Sequence, residues 1–384
     1  FETGGHDEWA ARCRSGNSGM TMIGLMTLLA WLWLLFRHGS FWKATEILHD
    51  SDDALKRWPA VTAIIPARNE AQTIGRTVSS LLAQDYAGKL SVIVVDDNST
   101  DDTATAAGKD KRLKVISGKP LPDGWTGKLW AVDQGIWAAG DAPFVLLTDA
   151  DIEHDPGSVR RLVCKAEQGD FDLVSLMVRL NCQSVWERLL IPAFVFFFQM
   201  LYPFPWVNDR GRSTAAAAGG CMLVRSAALE AAGGMKAIGD RVIDDCALAA
   251  LLKPKGPIWL WLTHDVVSLR TYDTLGDVWA MVTRTAYAQL GYSPVMLAFA
   301  VAGMLLVYAA PPLLFVFSDD MASKFAGAAW VAMLIAYQPM LGFYKRPLWE
   351  GLALPVAALL YTLMTLSSAL YGGSWKGRSV SLPR

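Results

Sequence analysis

Four charge-free apolar blocks constrain this chain more than any other feature. They cover residues 15–36, 294–318, 325–344 and 351–371, and each is close to the ~20 residues that an α-helix needs to cross the hydrocarbon core of a bilayer. Composition agrees, because 53% hydrophobic and 18% charged residues is short of charge for a soluble protein. The apolar excess lies near the two ends and leaves a middle region of ordinary polarity. With 35 Lys+Arg against 36 Asp+Glu and no long basic run, the electrostatic footprint of a nucleic-acid binder is missing. The same hydrophobic content excludes a disordered chain.

The first block ends in Trp31-Leu32-Trp33-Leu34-Leu35-Phe36 without a small-x-small cleavage site, and Arg37 and Lys43 follow it. It reads as a retained anchor over 20–36 and not as a cleaved signal. The polar, Gly-rich stretch 1–19 reads as a disordered tail, and residues 294–372 as three further membrane helices before a second tail at 373–384. Lys345-Arg346 between the last two blocks is basic, whereas Asp319-Asp320 precedes the third block. The positive-inside rule then places Lys345, and with it residues 50–293, in the cytoplasm. Lys376, Arg378 and Arg384 would lie outside, against that rule. Five cysteines show neither C-x-x-C spacing nor a neighbouring histidine, so neither a zinc site nor a disulfide framework is indicated.

Between the anchors the pattern changes to short β-branched runs alternating with helical stretches. Residues 61–67, 90–95, 113–117 and 144–148 read as strands, and 70–84, 128–139 and 156–167 as helices. This order predicts an α/β fold with a mostly parallel sheet covered on both faces. Ligands of such sheets bind beyond the carboxyl ends of the strands. The apolar stretch 189–207 is charge-free but is interrupted by Pro192, Pro203 and Pro205. A membrane crossing there would separate acidic motifs on either side of it, so it reads as an interfacial segment at the bilayer surface.

The first strand runs into Pro66-Ala67-Arg68-Asn69-Glu70 with no G-x-G-x-x-G or P-loop glycines after it, which disfavours a dinucleotide or P-loop fold. Acidic residues end two other strands, at Asp96-Asp97 and at Asp149-Ala150-Asp151. Carboxylates repel phosphate, but they can hold a divalent cation that bridges to a diphosphate. Two acids flanking Ala at a strand end are also common in plain turns, and Asp96-Asp97 followed by Ser99 and Thr100 also suits a capped turn.

Taken in order, Ile65-Pro66-Ala67-Arg68-Asn69-Glu70, Val95-Asp96-Asp97-Asn98-Ser99-Thr100-Asp101, Asp149-Ala150-Asp151 and Ile243-Asp244-Asp245 resemble the signature of family-2 glycosyltransferases with the GT-A fold. The likeness covers residues 60–292. Gly124-Trp125-Thr126-Gly127-Lys128-Leu129-Trp130-Ala131 and the C-terminal helix triplet resemble the membrane-anchored, hopanoid-associated glycosyltransferases of bacteria, which are similar to ceramide glucosyltransferases. The resemblance implies that Asp151 ligates Mg²⁺ or Mn²⁺, that Asp149 lies near the metal or the ribose, and that Asp96 or Asp97 meets the uracil edge. It also places Pro66, Arg68 and Glu70 among the nucleotide-sugar contacts, and Asp245, with Asp244 beside it, as the general base.

Each of these residues also has a plainer reading. Asp244 and Asp245 suit the first turn of a helix through its dipole, and Arg68 and Glu70 suit a helix cap. Lys128 at a helix start suits a diphosphate or an ordinary solvated surface. Relatives carry a Q/R-x-x-R-W motif where this chain has Met281-Val282-Thr283-Arg284-Thr285, so only Arg284 carries over. It would stabilise the leaving diphosphate or snorkel at the membrane surface.

The sequence therefore reads as a multipass protein of the bacterial inner membrane with a cytoplasmic GT-A domain. The expected activity is inverting, metal-dependent transfer of one sugar from a nucleotide sugar, a UDP-sugar, to the hydroxyl of a membrane lipid in hopanoid or glycolipid biosynthesis. The alternatives are a processive polysaccharide synthase and a non-catalytic membrane protein that binds nucleotide sugar.

Overall fold

The computed structural model describes residues 4–45, 55–318, 320–375 and 378–380. Helix α1 (Gly4–Phe36) includes the apolar stretch Ser18–Phe36, and the polar residues expected as a tail overlap its first turns. The α/β region then runs β1 (Val61–Ala67), α2 (Ile74–Leu82), β2 (Leu90–Asp96), α3 (Thr103–Ala106), β3 (Leu113–Ser117), α4 (Gly127–Ala139) and β4 (Phe144–Thr148). It continues with β5 (Ile152–His154), α5 (Ser158–Gln168), β6 (Leu173–Arg179), α6 (Val185–Leu201), α7 (Phe204–Asn208), β7 (Cys221–Arg225), α8 (Ser226–Ala231), α9 (Asp244–Leu252) and β8 (Ile258–Ser268).

These strands form one sheet in the order β3-β2-β1-β4-β7-β6-β8-β5. Neighbours from β3 to β4 are parallel, as are β6 and β8. The β4–β7, β6–β7 and β5–β8 pairs are antiparallel, so the sheet is mixed but mostly parallel. Strands β1 and β4 are apolar and almost wholly buried, as expected of strands covered on both faces. The chain leaves β1 toward β2 and β3 on one side, then returns to place β4 on the other. A crevice therefore opens where these two connections diverge, at the carboxyl ends of β1 and β4.

Helices α10 (Leu275–Thr283) and α11 (Ala286–Gln289) lead to α12 (Pro294–Met304) and α13 (Ala310–Phe317), which are joined by a π-turn over Leu305–Ala309. Pro311 and Pro312 follow this turn and cannot donate backbone bonds to the turn before them, which accounts for the widened ladder. Helices α14 (Asp320–Phe343) and α15 (Leu354–Tyr371) follow, and the hairpin strands β9 (Gly373–Trp375) and β10 (Arg378–Val380) occupy part of the expected C-terminal tail. By length and composition four helical stretches could cross a membrane: Ser18–Phe36, Pro294–Phe317, Met321–Phe343 and Leu348–Tyr371.

The stretch 189–207 folds into α6 and α7. Ser184 and Glu187 form a capping box that starts α6, which satisfies two otherwise orphan donors. Phe196 is fully buried, with its ring 5.2 Å from Phe41 and 5.2 Å from Tyr337 of α14. Phe197 meets Tyr308 and Tyr361 edge-on. One continuous core thus runs from the sheet residues Ile64 and Leu147 through α6 to α14 and α15. Phe196 is thus buried between the sheet and the apolar helices, with Phe194, Phe197 and Phe198 half-buried beside it.

Candidate active site

The carboxyl end of β1 and that of β2 are laced together. Asp97 N–H donates to the Ala67 carbonyl at 2.8 Å, and Arg68 Nη1 donates to the carbonyls of Asp97 at 2.6 Å and Asn98 at 3.2 Å. Asn69 adopts φ 52°, which an asparagine tolerates, and its side chain accepts from Thr100 N–H at 2.8 Å. These bonds use residues 69–73 as a turn, which is why α2 begins at Ile74 and not at the expected Glu70. Asp96 Oδ1 accepts from Ser99 N–H at 3.1 Å and caps the β2 turn, while the Asp97 residue is buried.

Opposite this clasp, Thr126 caps α4 by accepting from Leu129 N–H. Lys128 in the first turn points its Nζ to within 2.9 Å of Asp149 Oδ1 and 3.0 Å of Asp244 Oδ2. Asp149 follows β4 and Asp244 opens α9, so one ammonium joins two elements far apart in sequence. Pro66 and Gly219 line the same crevice. Burial works to lower the Lys128 pKa, but Asp149 and Asp244 outweigh it and raise it. Burial raises the pKa of Asp149, with Lys128 opposing and Asp151 and Asp244 adding to it.

Asp245 accepts from Gly219 N–H at 2.8 Å and from Cys246 N–H at 2.7 Å. A Cβ at Gly219 would lie 3.3 Å from Asp245 Oδ2 and 3.4 Å from Lys128 Nζ, so a bare backbone is what allows this approach. Burial and then neighbouring Asp244 push the Asp245 carboxyl up to about 6, against Lys128 and the two N–H donors. Carboxylates tuned upward in a crevice are suited to general-base work near neutrality.

Two residues absent from the sequence-based candidates complete the site. Arg270, just beyond β8, donates from Nε to Asp151 Oδ2 at 2.7 Å and from Nη2 to Glu70 Oε1 at 2.8 Å. Burial opposes its charge, but Asp151 and Glu70 hold its pKa above the usual value. Tyr272 lies within electrostatic range of Arg270, Asp151, Arg284 and Asp149, and burial raises its pKa. The signal for Arg270 was a charged residue directly after a long apolar strand, where ligand-facing groups gather. The β8 pattern Ile258-Trp259-Leu260-Trp261-Leu262 was not among the predicted strands.

The structure thus brings Pro66, Lys128, Asp149 and Asp244 to one crevice, with Asp245 bonded to its Gly219 and with Glu70 and Asp151 joined through Arg270. Arg68, Asp96 and Asp97 lie in the clasp between the ends of β1 and β2, with the Arg68 guanidinium bonded to two main-chain carbonyls. Arg284 caps the end of α10 and makes no ion pair or hydrogen bond through its side chain among the described residues. Among the described residues no group of three or more His, Cys, Asp or Glu could cage an ion by itself. A Mg²⁺ or Mn²⁺ site completed by substrate phosphates and water needs only one or two carboxylates. Asp149 and Asp151, paired here with Lys128 and Arg270, would supply those hard oxygens, so the donor set fits such an ion.

Residues 62–233 match the family model Glycosyl transferase family 2. In particular, the chain is 35% identical over 116 residues to an uncharacterized glycosyltransferase of Mycobacterium tuberculosis, covering 30% of this chain and 47% of the relative. It is 28% identical over 217 residues to the 4,4'-diaponeurosporenoate glycosyltransferase of Staphylococcus aureus, 56% of each chain. The chain spans about half the length of these curated relatives. A mannosyltransferase from Pyrobaculum calidifontis, solved in complex with GDP-Man and Mn²⁺, matches with a TM-score of 0.53 at 19% identity over 92% of this chain and 99% of that one. That likeness bears on the fold.

Proposed function

We propose that this protein transfers a single sugar from a nucleotide-sugar donor, a UDP-sugar, to a hydroxyl of a membrane lipid with inversion at the anomeric carbon. The observation that carries the reading is Lys128, which places the strand-end carboxylate Asp149 and the helix-start pair Asp244-Asp245 at one point. Donor binding and proton removal need to be adjacent for a direct displacement. Asp96 or Asp97 meets the base of the nucleotide, and Asp149 and Asp151 hold Mg²⁺ or Mn²⁺. When bound, that ion supplies positive charge to the departing diphosphate.

Asp245 takes the acceptor proton as the acceptor oxygen forms its bond to the anomeric carbon and the bond to the diphosphate breaks. Its raised pKa lets it hold that proton, and the N–H groups of Gly219 and Cys246 fix its orientation. Lys128 and Arg284 offer positive charge to the phosphates as negative charge grows there. A lipid acceptor is supported by the four apolar helices and by Tyr202, at the end of α6. Its hydroxyl accepts from Gln289 Nε2 at 2.5 Å and it lies within electrostatic range of Asp245. We assign the acceptor to the hopanoid or glycolipid class by resemblance, and residues 50–293 to the cytoplasmic side by the charge of Lys345-Arg346.

Mass spectrometry of lipids from membranes supplied with several nucleotide sugars, with and without this protein, tests the reading. A new hexosyl lipid is expected with the wild type. Asp245→Asn should lose transfer by the ~10²- to 10⁴-fold that a positioned base supplies while keeping donor binding, and Asp244→Asn should be milder. Near-normal transfer by Asp245→Asn would move the role elsewhere, and no product with any donor would overturn the activity.

A further inference from the structure

A second cavity, of about 470 Å³, lies between the ends of β6 and β8 and the C-terminal end of α14. Arg179, Asn181, Cys182, Thr271 and Tyr344 are among its lining residues, and it shares none with the crevice around Lys128. Most of its polar lining is paired, and Arg179 and the Tyr344 hydroxyl stand out from it. The Tyr344 side chain is buried, and its hydroxyl has no close partner apart from the neighbouring Leu180 main chain. Among the described residues Arg179 and Lys345 enter no ion pair.

The other charges in this neighbourhood are already compensated. Arg76 pairs with Glu153 at 2.7 Å, Arg161 is shared by Asp155 at 2.7 Å and Asp265 at 3.2 Å, and Arg346 pairs with Glu350. Glu187 accepts from three main-chain N–H groups. Of the charged lining residues Arg76, Glu153 and Arg179, Arg179 is thus the one without an ion pair among the described residues, and it leaves the lining with one net positive charge. His264 next to Arg179 and Lys345 stacks on Phe343 at 4.3 Å, and its Nδ1 is buried without a partner.

The place of the cavity beside the end of an apolar helix points to the class of anion. The apolar stretch Met321–Phe343 ends one residue before Tyr344. Just beyond, Leu348 and Trp349 are 64% and 71% exposed, as suits side chains at the level of lipid head groups. From these observations we infer that this cavity binds the phosphate of an anionic membrane phospholipid, with Arg179 and the Tyr344 hydroxyl as its polar contacts and Lys345 as a flanking charge. Asn181 Nδ2 donates to the carbonyls of Ser268 at 3.1 Å and Arg270 at 2.7 Å, so a lipid seated here braces the loop that carries Arg270. The inference does not rest on the catalytic reading.

Native mass spectrometry of the full chain, released from micelles containing phosphatidylglycerol and phosphatidylcholine in equal amounts, tests it. The wild type should retain phosphatidylglycerol in preference. Arg179→Gln and Lys345→Gln should each weaken that retention about fivefold, the loss expected for one basic group near a membrane surface. Arg179→Lys should keep most of it, and Tyr344→Phe should reduce it without changing the fold. Lys345 is exposed, so its variant remains informative if Arg179→Gln does not fold. Equal retention of the two lipids, or a preference unchanged in the Arg179→Gln/Lys345→Gln variant, would overturn the inference. So would displacement of the lipid by soluble glycerol 1-phosphate at comparable concentration, which would make this a site for a soluble anion.

Discussion

Arg270 Nε lies 2.7 Å from Asp151 Oδ2, a contact made across 119 positions of sequence. The guanidinium is 37% exposed, whereas the Asp151 and Glu70 side chains that it bridges are each 13% exposed. Removing it leaves two poorly hydrated carboxylates facing each other. Breaking a fully buried pair costs more, but solvent screens a partly exposed one. Arg270→Ala should therefore lower stability by about 1–2 kcal/mol, read from thermal unfolding in detergent. Arg270→Lys should recover only part of this, because an ammonium lacks the planar fork that reaches both acids.

The raised pKa of Asp245 has two consequences with opposite signs. As a base it must be ionised, so transfer should rise with pH through a limb near 6, measured as kcat/KM against pH. For stability, the folded state holds this proton more tightly than the unfolded state does. The contribution is present below the ordinary value of 3.8 and is lost as pH rises through about 6. Asp245→Asn should thus unfold no more easily than the wild type at neutral pH, while losing transfer if Asp245 is the base. A large loss of stability at pH 7 would argue for a structural role.

The proposed metal role of Asp149 and Asp151 can be tested directly. Excess chelator should abolish transfer, with Mg²⁺ or Mn²⁺ restoring it, and Asp151→Ala should weaken Mn²⁺ binding measured by electron paramagnetic resonance in the presence of UDP. Full turnover in chelator would remove the metal from the reaction.

Glu187 is 1% exposed and accepts from the N–H groups of Gln183, Ser184 and Tyr272 at 2.7–3.0 Å. It ties the start of α6 to the loop that presents Arg270 and Tyr272. Glu187→Ala should destabilise the fold by on the order of 2–3 kcal/mol and speed amide exchange over residues 269–274, measured by mass spectrometry. Unchanged exchange there would separate the cap from the loop.

The orientation in the membrane can be checked with single cysteines. A membrane-impermeant thiol reagent applied from outside should label a cysteine at position 319, which lies outside the described residues, and should leave one at Lys345 unmodified. The reverse pattern would invert the topology.

The sequence by itself determined the parts whose signal is local. Charge-free runs of membrane length, β-branched runs and acidic strand ends can be read over a few residues, and the strands 113–117 and 144–148 lie where their patterns placed them. Lys128, Asp149 and Asp244 were each legible as candidates, because a charged group beside a strand end or helix start has a short-range cause. Only the tertiary structure decided which of them meet, since no local pattern specifies that one ammonium bridges the end of β4 and the start of α9. It also bound Arg68 to the carbonyls of the neighbouring loop, through contacts that exist only once β1 and β2 pair. The stretch 189–207 carries the same hydrophobicity whether it lies on a bilayer or inside a core, and α6 has its core-facing side chains packed against Phe41, Tyr337 and Tyr361. Arg270 belongs to the same class: a lone arginine in a loop has no periodicity, and its role arises from the register of β8 against β5 and β6, which carries it to Asp151.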